Sequence, residues 1–360
     1  MHKTIAVLRG DGIGPEIMAQ AVAALDAVAG RFGHELSYVE AYAGGEAWDR
    51  YGEHLPPETL EVCGKADAIL KGPFGGPTSE LDSPKWRGVE TTAILGLRRA
   101  FDLFMNLRPV VVYPEVVALS PLRPEIVAGA DMLIVRELTS GIYFGPRGER
   151  DHDGDREVWD TESYRASEIA RITHGAFRVA RARRKHVTLV AKSNVLSSSV
   201  LWREVADPIA KEYPDVTYDY MHVDNASMQI ITNPRQFDVL LTSNIFGDIL
   251  SDEASVLAGS LGMLGSASLN AAGFGMYEPV HGSAPDIAGE GKANPIGMVL
   301  SAAMMLRLSF GLAVEADAVE DAVRTALAAG LRTPDLAGAG GRVVSTAELG
   351  SAIVAHITGT

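Results

Sequence analysis

Apolar runs of four or five residues alternate along the chain with longer stretches in which apolar side chains recur every three or four positions. The short runs, at 4–8, 68–71, 110–113, 132–136, 187–191 and 239–242, predict strands, and the stretches between them predict covering helices. This alternation is the signature of an α/β protein built on a largely parallel sheet. The opening MHKTIAVLRGDG reads as a buried strand, its apolar run being too short for a signal peptide. The longest apolar stretch, 298–306, lies between Pro295 and Arg307 and is too short to span a bilayer, so it predicts a buried helix and no membrane partner. One polar interruption, GPRGERDHDGDREVWD at 145–160, breaks the alternation. Apolar and aromatic residues on both sides of it suggest an arm or hairpin projecting from one domain rather than a disordered loop.

At 360 residues the chain exceeds what one core usually organises, which predicts two domains. With 47% hydrophobic and 22% charged residues it has an ordinary globular composition. A net charge of −14 argues against a nucleic-acid partner, which needs a concentrated basic surface. The one basic cluster, RARRKH at 181–186, ends a helical pattern, where cations complement the helix dipole. Cys63 is the only cysteine; intrachain disulfides and thiolate metal clusters are excluded, and a reducing cytoplasm fits best.

The chemistry concentrates in SNIFGDILSD, 243–252, immediately after an apolar run. Asp248 and Asp252 stand one helical turn apart, on one helix face, where a strand passes into a helix. Two hard oxygen donors so placed suit Mg²⁺ or Mn²⁺. Acids in a first helical turn also serve the macrodipole alone. Asp224 in HVDNASMQ and the segment YEPVHGSAPDIAGEGKAN, 277–294, strengthen the metal reading. Arg98 in ILGLRR, Arg108 in NLRP and Arg136 in LIVREL stand at the edges of apolar segments. Singly each fits a structural ion pair; together they can clamp a small dicarboxylate through bidentate forks. Lys192 follows the strand VTLVA and is a candidate general base if burial lowers its pKa, although a lysine ending a strand is usually solvated. Tyr143 in GIYFG is a candidate proton donor, while its position alone favours a core phenol.

GDGIGPE, 10–16, invites comparison with a dinucleotide fingerprint, yet Pro15 stands where the third glycine belongs. It reads instead as a tight strand-to-helix turn with Pro15 in the first helical turn. HGSAPDIAG, 281–289, is the better nucleotide candidate. Its small residues allow backbone to approach a cofactor, and His281 offers an aromatic face. Asp286 can accept both hydroxyls of an adenosine ribose but repels a 2′-phosphate, which favours NAD over NADP. A loop without a ligand is the alternative.

In their order along the chain, GDGIGPE, LRR, NLRP, VRELTSGIYFG, KSNVL, VDNASMQ, SNIFGDILSD, HGSAPDIAG and ANP resemble the β-decarboxylating dehydrogenases of 2-hydroxy acids, the isocitrate/isopropylmalate dehydrogenase family. The resemblance implies an α/β fold that is not Rossmann, with two domains, a central largely parallel sheet and an intersubunit arm. A large NAD-binding domain would comprise 1–103 and 259–360, and a small domain, 104–258, would carry the dimer interface and the arm, about 137–165. It implies a homodimer with shared active sites. Arg98, Arg108 and Arg136 would hold the substrate carboxylates; Asp248 and Asp252 would bind Mg²⁺ or Mn²⁺ with Asp224 of a second copy. Lys192, also from the second copy, would deprotonate the C2 hydroxyl, and Tyr143 would protonate the enolate carbon. The cofactor residues implied are Gly76, Glu90, Glu278, His281, Gly282, Ser283, Ala284, Pro285, Asp286, Ile287 and Asn294. Ile94 lies four residues before Arg98 on the same helix face, and an apolar side chain there suits an isopropyl substituent. The implied activity is NAD-dependent oxidative decarboxylation of 3-isopropylmalate to 4-methyl-2-oxopentanoate and CO₂, in leucine biosynthesis. Alternatives are another 3-substituted malate, D-malate or tartrate as substrate, and a non-catalytic regulatory homologue. ILKGP at 69–73 is similar to the isocitrate branch, Ser193 is similar to tartrate and D-malate enzymes, and 75–90 is atypical of the family.

Overall fold

The computed structural model describes residues 1–359. Its first part runs β1 (His2–Leu8), α1 (Gly14–Phe32), β2 (Glu35–Glu40), α2 (Gly45–Tyr51), α3 (Pro57–Lys65), β3 (Ala68–Lys71) and α4 (Leu95–Ala100). Next come β4 (Met105–Val111), α5 (Pro124–Val127), β5 (Asp131–Glu137), β6 (Arg147–His152), β7 (Asp155–Asp160), α6 (Ala166–Arg181), β8 (His186–Ala191), α7 (Ser197–Ala210), β9 (Thr217–His222), α8 (Val223–Thr232), β10 (Val239–Thr242) and α9 (Asn244–Ser255). The chain ends with β11 (Gly265–Leu269), β12 (Gly275–Pro279), α10 (Ile296–Leu308), α11 (Ala313–Ala328) and α12 (Thr346–Thr358).

Contacts divide these elements into two compact units: 1–103, 112–124 and 258–360, and an insertion made of 104–111 and 125–257. The stretch 112–124, expected with the insertion, packs in the first unit. Its 3₁₀ turn Pro114–Leu119 lies against the turn Pro334–Ala339, and Arg332 Nη2 donates to Glu115 O at 3.0 Å.

In the first unit the strand order is β2-β1-β3-β12-β11, parallel except where β11 meets β12. In the second it is β4-β5-β10-β8-β9, parallel except where β4 meets β5. The central strands β3 (AILK) and β10 (VLLT) are buried at every position, as parallel strands covered on both faces must be. The edge strands β2 and β9 carry half-exposed polar sequence, ELSYVE and TYDYMH, and have no continuous apolar run to announce them. β4 begins five residues before the expected 110–113, because Asn106, Arg108 and Pro109 interrupt its apolar pattern. Its register, Met105 opposite Glu137 through Val111 opposite Asp131, sets Arg108 beside Ile134.

The expected 298–306 helix is α10, buried almost all round and packed on α1, α11, β11 and β12. GDGIGPE forms the predicted turn into α1, with Pro15 in the first helical turn. The polar stretch 145–160 is an exposed two-stranded hairpin, β6–β7, turned at Asp153 and Gly154, both at positive φ. Cross-strand ion pairs line it: Arg150–Glu157 at 2.5 Å and Arg156–Glu149 at 2.6 Å. Among the described residues no helix is long and apolar enough to cross a membrane.

A buried charge pair ties two neighbouring strands of the first unit. Lys71, fully buried at the end of β3, bonds to Glu278 on β12, donates to Gly72 O at 3.0 Å and lies 4.2 Å from the centre of the Phe74 ring. Removing Lys71 leaves the buried Glu278 carboxylate with the longer contact to Arg98, 3.7 Å away. Lys71→Met should therefore lower the unfolding free energy by about 3–5 kcal/mol in urea titrations, and adding Glu278→Gln should restore most of it. Equal losses in the single and double variants would contradict the pairing.

Candidate active site

Five of the predicted site residues, all in the second unit, cluster around the Asp248 carboxylate. β5 and β10 run in register with Arg136 opposite Thr242, so β5 delivers Arg136 where β10 passes into α9. Arg136 Nη1 donates to Asp248 Oδ1 at 2.6 Å, and the Tyr143 hydroxyl donates to Asp248 Oδ2 at 2.7 Å. Arg108 Nη2 stands 3.8 Å from Asp248 Oδ1, while its Nη1 donates to Asp252 Oδ1 at 3.0 Å and Ser251 Oγ at 2.8 Å. Arg108, Arg136, Tyr143, Asp248 and Asp252 thus form one cluster. α9 begins at Asn244, so both aspartates stand beyond its first turn, where a macrodipole role does not account for them.

Tyr143 departs from the core phenol that its position suggested. Burial first, and then the Asp248 carboxylate it bonds to, push its pKa up to about 12. A phenol so shifted keeps its proton throughout the neutral range and is a donor, never a base, there.

Lys192 directly follows β8 and bonds Asp224 Oδ1 at 2.7 Å. The lysine is half-buried and Asp224 exposed; the Lys192 hydrogen bond holds the Asp224 carboxyl below its ordinary range. Ser193 N and Oγ both contact the Tyr220 hydroxyl, at 3.1 and 2.8 Å. Asp224 does not join Asp248 and Asp252: among the described residues no three His, Cys, Asp or Glu side chains are grouped to hold a metal. The donor chemistry of Asp248 and Asp252 still fits a hard divalent cation, being two carboxylates at i and i+4 that are half-buried and exposed.

The first unit holds the remaining candidates. Arg98, buried on α4, stands 3.7 Å from Glu278. Half-buried Ile94 precedes α4 at the end of a π-helical turn, Glu90–Ile94, and packs on the apolar cluster around Leu97 and Ala93. Glu90 itself is exposed. Gly76 lies under the Trp86 indole, leaving no room for a Cβ.

GDGIGPE buttresses the loops beside it. Asp11 Oδ2 accepts Gly45 N at 3.1 Å and Gly75 N at 3.0 Å, and Ile13 N donates to Ser283 O at 2.8 Å. In the loop so supported, Ala284 takes a left-handed backbone, φ +37°, and Gly282, Pro285 and Asp286 are exposed, with Ala284 and Ile287 half-buried. His281 Nδ1 lies 2.9 Å from Gly282 O, and its Nε2 is buried without a hydrogen-bond partner. Burial holds the imidazole below its usual range, hence neutral at pH 7. An unsatisfied ring nitrogen beside an exposed, carboxylate-bearing loop fits a nucleotide with groups to donate. Asn294 is committed internally: its Nδ2 donates to Asp335 at 3.0 Å and its Oδ1 accepts Ile296 N at 3.0 Å, at the head of α10.

Sequence reading missed Lys71, Gly247 and Asn244. Gly247 left a signal, a glycine inside a helix immediately before Asp248. A Cβ there would stand 2.5 Å from Arg136 Cγ and 2.7 Å from its Cβ. Gly247→Ala should cost about 1–3 kcal/mol by crowding Arg136. Urea denaturation checks this, and parental stability would show that the helix yields instead.

The isocitrate/isopropylmalate dehydrogenase family model matches residues 4–353. The chain is 58% identical to the 3-isopropylmalate dehydrogenase of Geobacillus kaustophilus, covering 96% of this chain and 93% of that protein. It is 54% identical to that of Methylococcus capsulatus, covering 98% of each. Among solved structures, the isocitrate dehydrogenase of Methylococcus capsulatus superposes with a TM-score of 0.87 at 36% identity, covering 99% of this chain and 100% of that one. The apo β-decarboxylating dehydrogenase of Thermococcus kodakarensis gives 0.80 at 34% identity, covering 99% and 96%. The chain belongs to the isocitrate/isopropylmalate dehydrogenase family.

Proposed function

We propose that the chain oxidises and decarboxylates 3-isopropylmalate to 4-methyl-2-oxopentanoate and CO₂ with NAD⁺, a step of leucine biosynthesis. The observation that carries this reading is the 58% identity to a 3-isopropylmalate dehydrogenase over nearly the whole chain, against 36% to the isocitrate enzyme. The apolar Ile94 ahead of Arg98 supports the same substituent.

Arg108 and Arg136, with Arg98 of the first unit, hold the substrate carboxylates as bidentate donors. Lys192 takes the C2 hydroxyl proton as hydride leaves C2, and the Tyr143 phenol delivers a proton to the carbon that has lost CO₂. Asp248, Asp252 and a second copy's Asp224 would hold Mg²⁺ or Mn²⁺, which when bound polarises the C2 oxygen and stabilises enolate charge. His281–Ile287, with Gly76, Glu90 and Glu278, would hold NAD⁺, the hydride acceptor, while the Asn294 side chain is held by Asp335 and the Ile296 amide. Asp286 is exposed for the ribose hydroxyls.

A homodimer is supported by α8 and α9, which lie side by side with Ser227 donating to Glu253 at 3.0 Å. They present Met228 and Ile249 at 59% and 60% exposure, and Val256, in the turn after α9, is 50% exposed, an apolar surface suited to a second copy. The exposed β6–β7 hairpin would be its intersubunit arm. The single, buried thiol, Cys63, suits a reducing cytoplasm.

Steady-state kinetics on 3-isopropylmalate, D-malate, tartrate and isocitrate test the reading. The highest kcat/KM should fall on 3-isopropylmalate with NAD⁺ well ahead of NADP⁺, and Ile94→Ser should lower it by about tenfold or more while sparing D-malate. A preference for isocitrate, or an equal loss on both substrates, would overturn the assignment.

Site sharing predicts complementation. Lys192→Ala and Asp248→Asn homodimers should both be inactive. Hybrids formed by dissociating and reassociating the two carry one doubly damaged site and one intact site, so random pairing should return roughly a quarter of parental activity. No recovery, with hybrids verified by native mass spectrometry, would show that each chain builds its site alone.

A further inference from the structure

Asn244 is fully buried and every polar group it carries is engaged. Its side-chain Oδ1 accepts from Arg136 Nη2 at 2.8 Å and Nε at 3.2 Å, and its backbone O accepts from Nε at 2.9 Å. Its Nδ2 donates to Ser140 O at 2.9 Å. Its backbone N–H, which the first turn of α9 leaves unsatisfied, donates to the Tyr164 hydroxyl at 2.9 Å.

Ser140 is the hinge of the turn that carries Tyr143. Its N–H donates to the buried Glu137 carboxylate at 2.9 Å, beside Thr139 N at 3.0 Å, and its carbonyl is the one Asn244 holds. Gly141 follows at φ +74°, closed against the Tyr164 ring, and the turn Gly141–Tyr143 sets the phenol on Asp248. One amide thus grips the guanidinium on one side of Asp248 and the backbone of the phenol-bearing turn on the other. An amide does both with separate atoms, accepting at Oδ1 and donating at Nδ2.

We propose that Asn244 is a positioning residue that fixes Arg136 and the Tyr143 turn relative to each other, so that carboxylate binding and proton delivery share one geometry. The inference rests on the roles given above to Arg136 and Tyr143. It separates two functions by chemistry. Asn244→Asp keeps oxygens for Arg136 but sets an oxygen against the Ser140 carbonyl, so it releases the Tyr143 turn alone. Asn244→Ser shortens the side chain and loosens both contacts.

The test joins kinetics with a readout that needs no turnover. In protein labelled with [¹³Cζ]tyrosine, the Tyr143 resonance is identified by its loss in Tyr143→Phe. At one neutral pH the parental resonance should be a single sharp line, whereas in Asn244→Asp it should shift and broaden as the released turn samples more than one position. Kinetically, Asn244→Asp should lower kcat by about tenfold or more with KM little changed, and Asn244→Ser should raise KM as well. A Tyr143 resonance unmoved in both variants, or a lowered melting temperature with parental kcat and KM per folded molecule, would overturn the coupling. A moved resonance in a protein whose parent turns over no 3-substituted malate would leave the coupling standing and remove the functional reading.

Discussion

A guanidinium that is only 2% exposed constrains everything around it. Arg136 cannot stay charged in the second unit's interior unless its charge and its donors are met. Asp248 supplies the counter-charge at 2.6 Å and Asn244 the remaining acceptors named above. The requirement propagates outward. It fixes the register of β5 on β10, it demands a glycine at 247, and it holds α9 where its second turn faces the end of β5. Asp248, held by Arg136, in turn receives the Tyr143 phenol. A bound dicarboxylate and cation would enter an array whose charges are already paired, exchanging partners instead of desolvating bare ions.

The first unit obeys the same rule with different residues. Lys71 and Arg98 flank Glu278, so two cations share one buried carboxylate. GDGIGPE contributes backbone and one carboxylate to hold the neighbouring loops, with Asp11 gathering the amides of Gly45 and Gly75. Burial raises the Asp11 pKa even though those amides oppose the shift. Its glycines serve close packing: Gly10 lies against Gly72 and Pro73, and Gly12 against Ser283.

How far the sequence reached follows from what each feature needs. Central strands such as 68–71 and 239–242 were legible because burial on both faces leaves an uninterrupted apolar run. The polar edge strands were not, nor were β11 and β12, whose GSASL and GMYEP carry no apolar run although they are buried, and only the end of β4 was. Asp248, Arg108, Arg136 and Tyr143 were legible as types at element ends, and the structure brings these four together. Asn244 and Lys71 were not: a buried amide and a buried lysine read like surface residues until their partners, more than a hundred positions away, are in place. Asp224 remains with Lys192, as one chain alone disposes them.

In the proposed reaction, oxidation at C2, loss of CO₂ and protonation follow one another at a single site on a 3-substituted malate. Turnover of 3-isopropylmalate in D₂O measures all three. Each NADH formed should accompany one CO₂ and a product bearing a single deuterium, in one configuration, at the carbon that lost the carboxylate. Cofactor reduction without CO₂, or deuterium of mixed configuration at that carbon, would contradict the account.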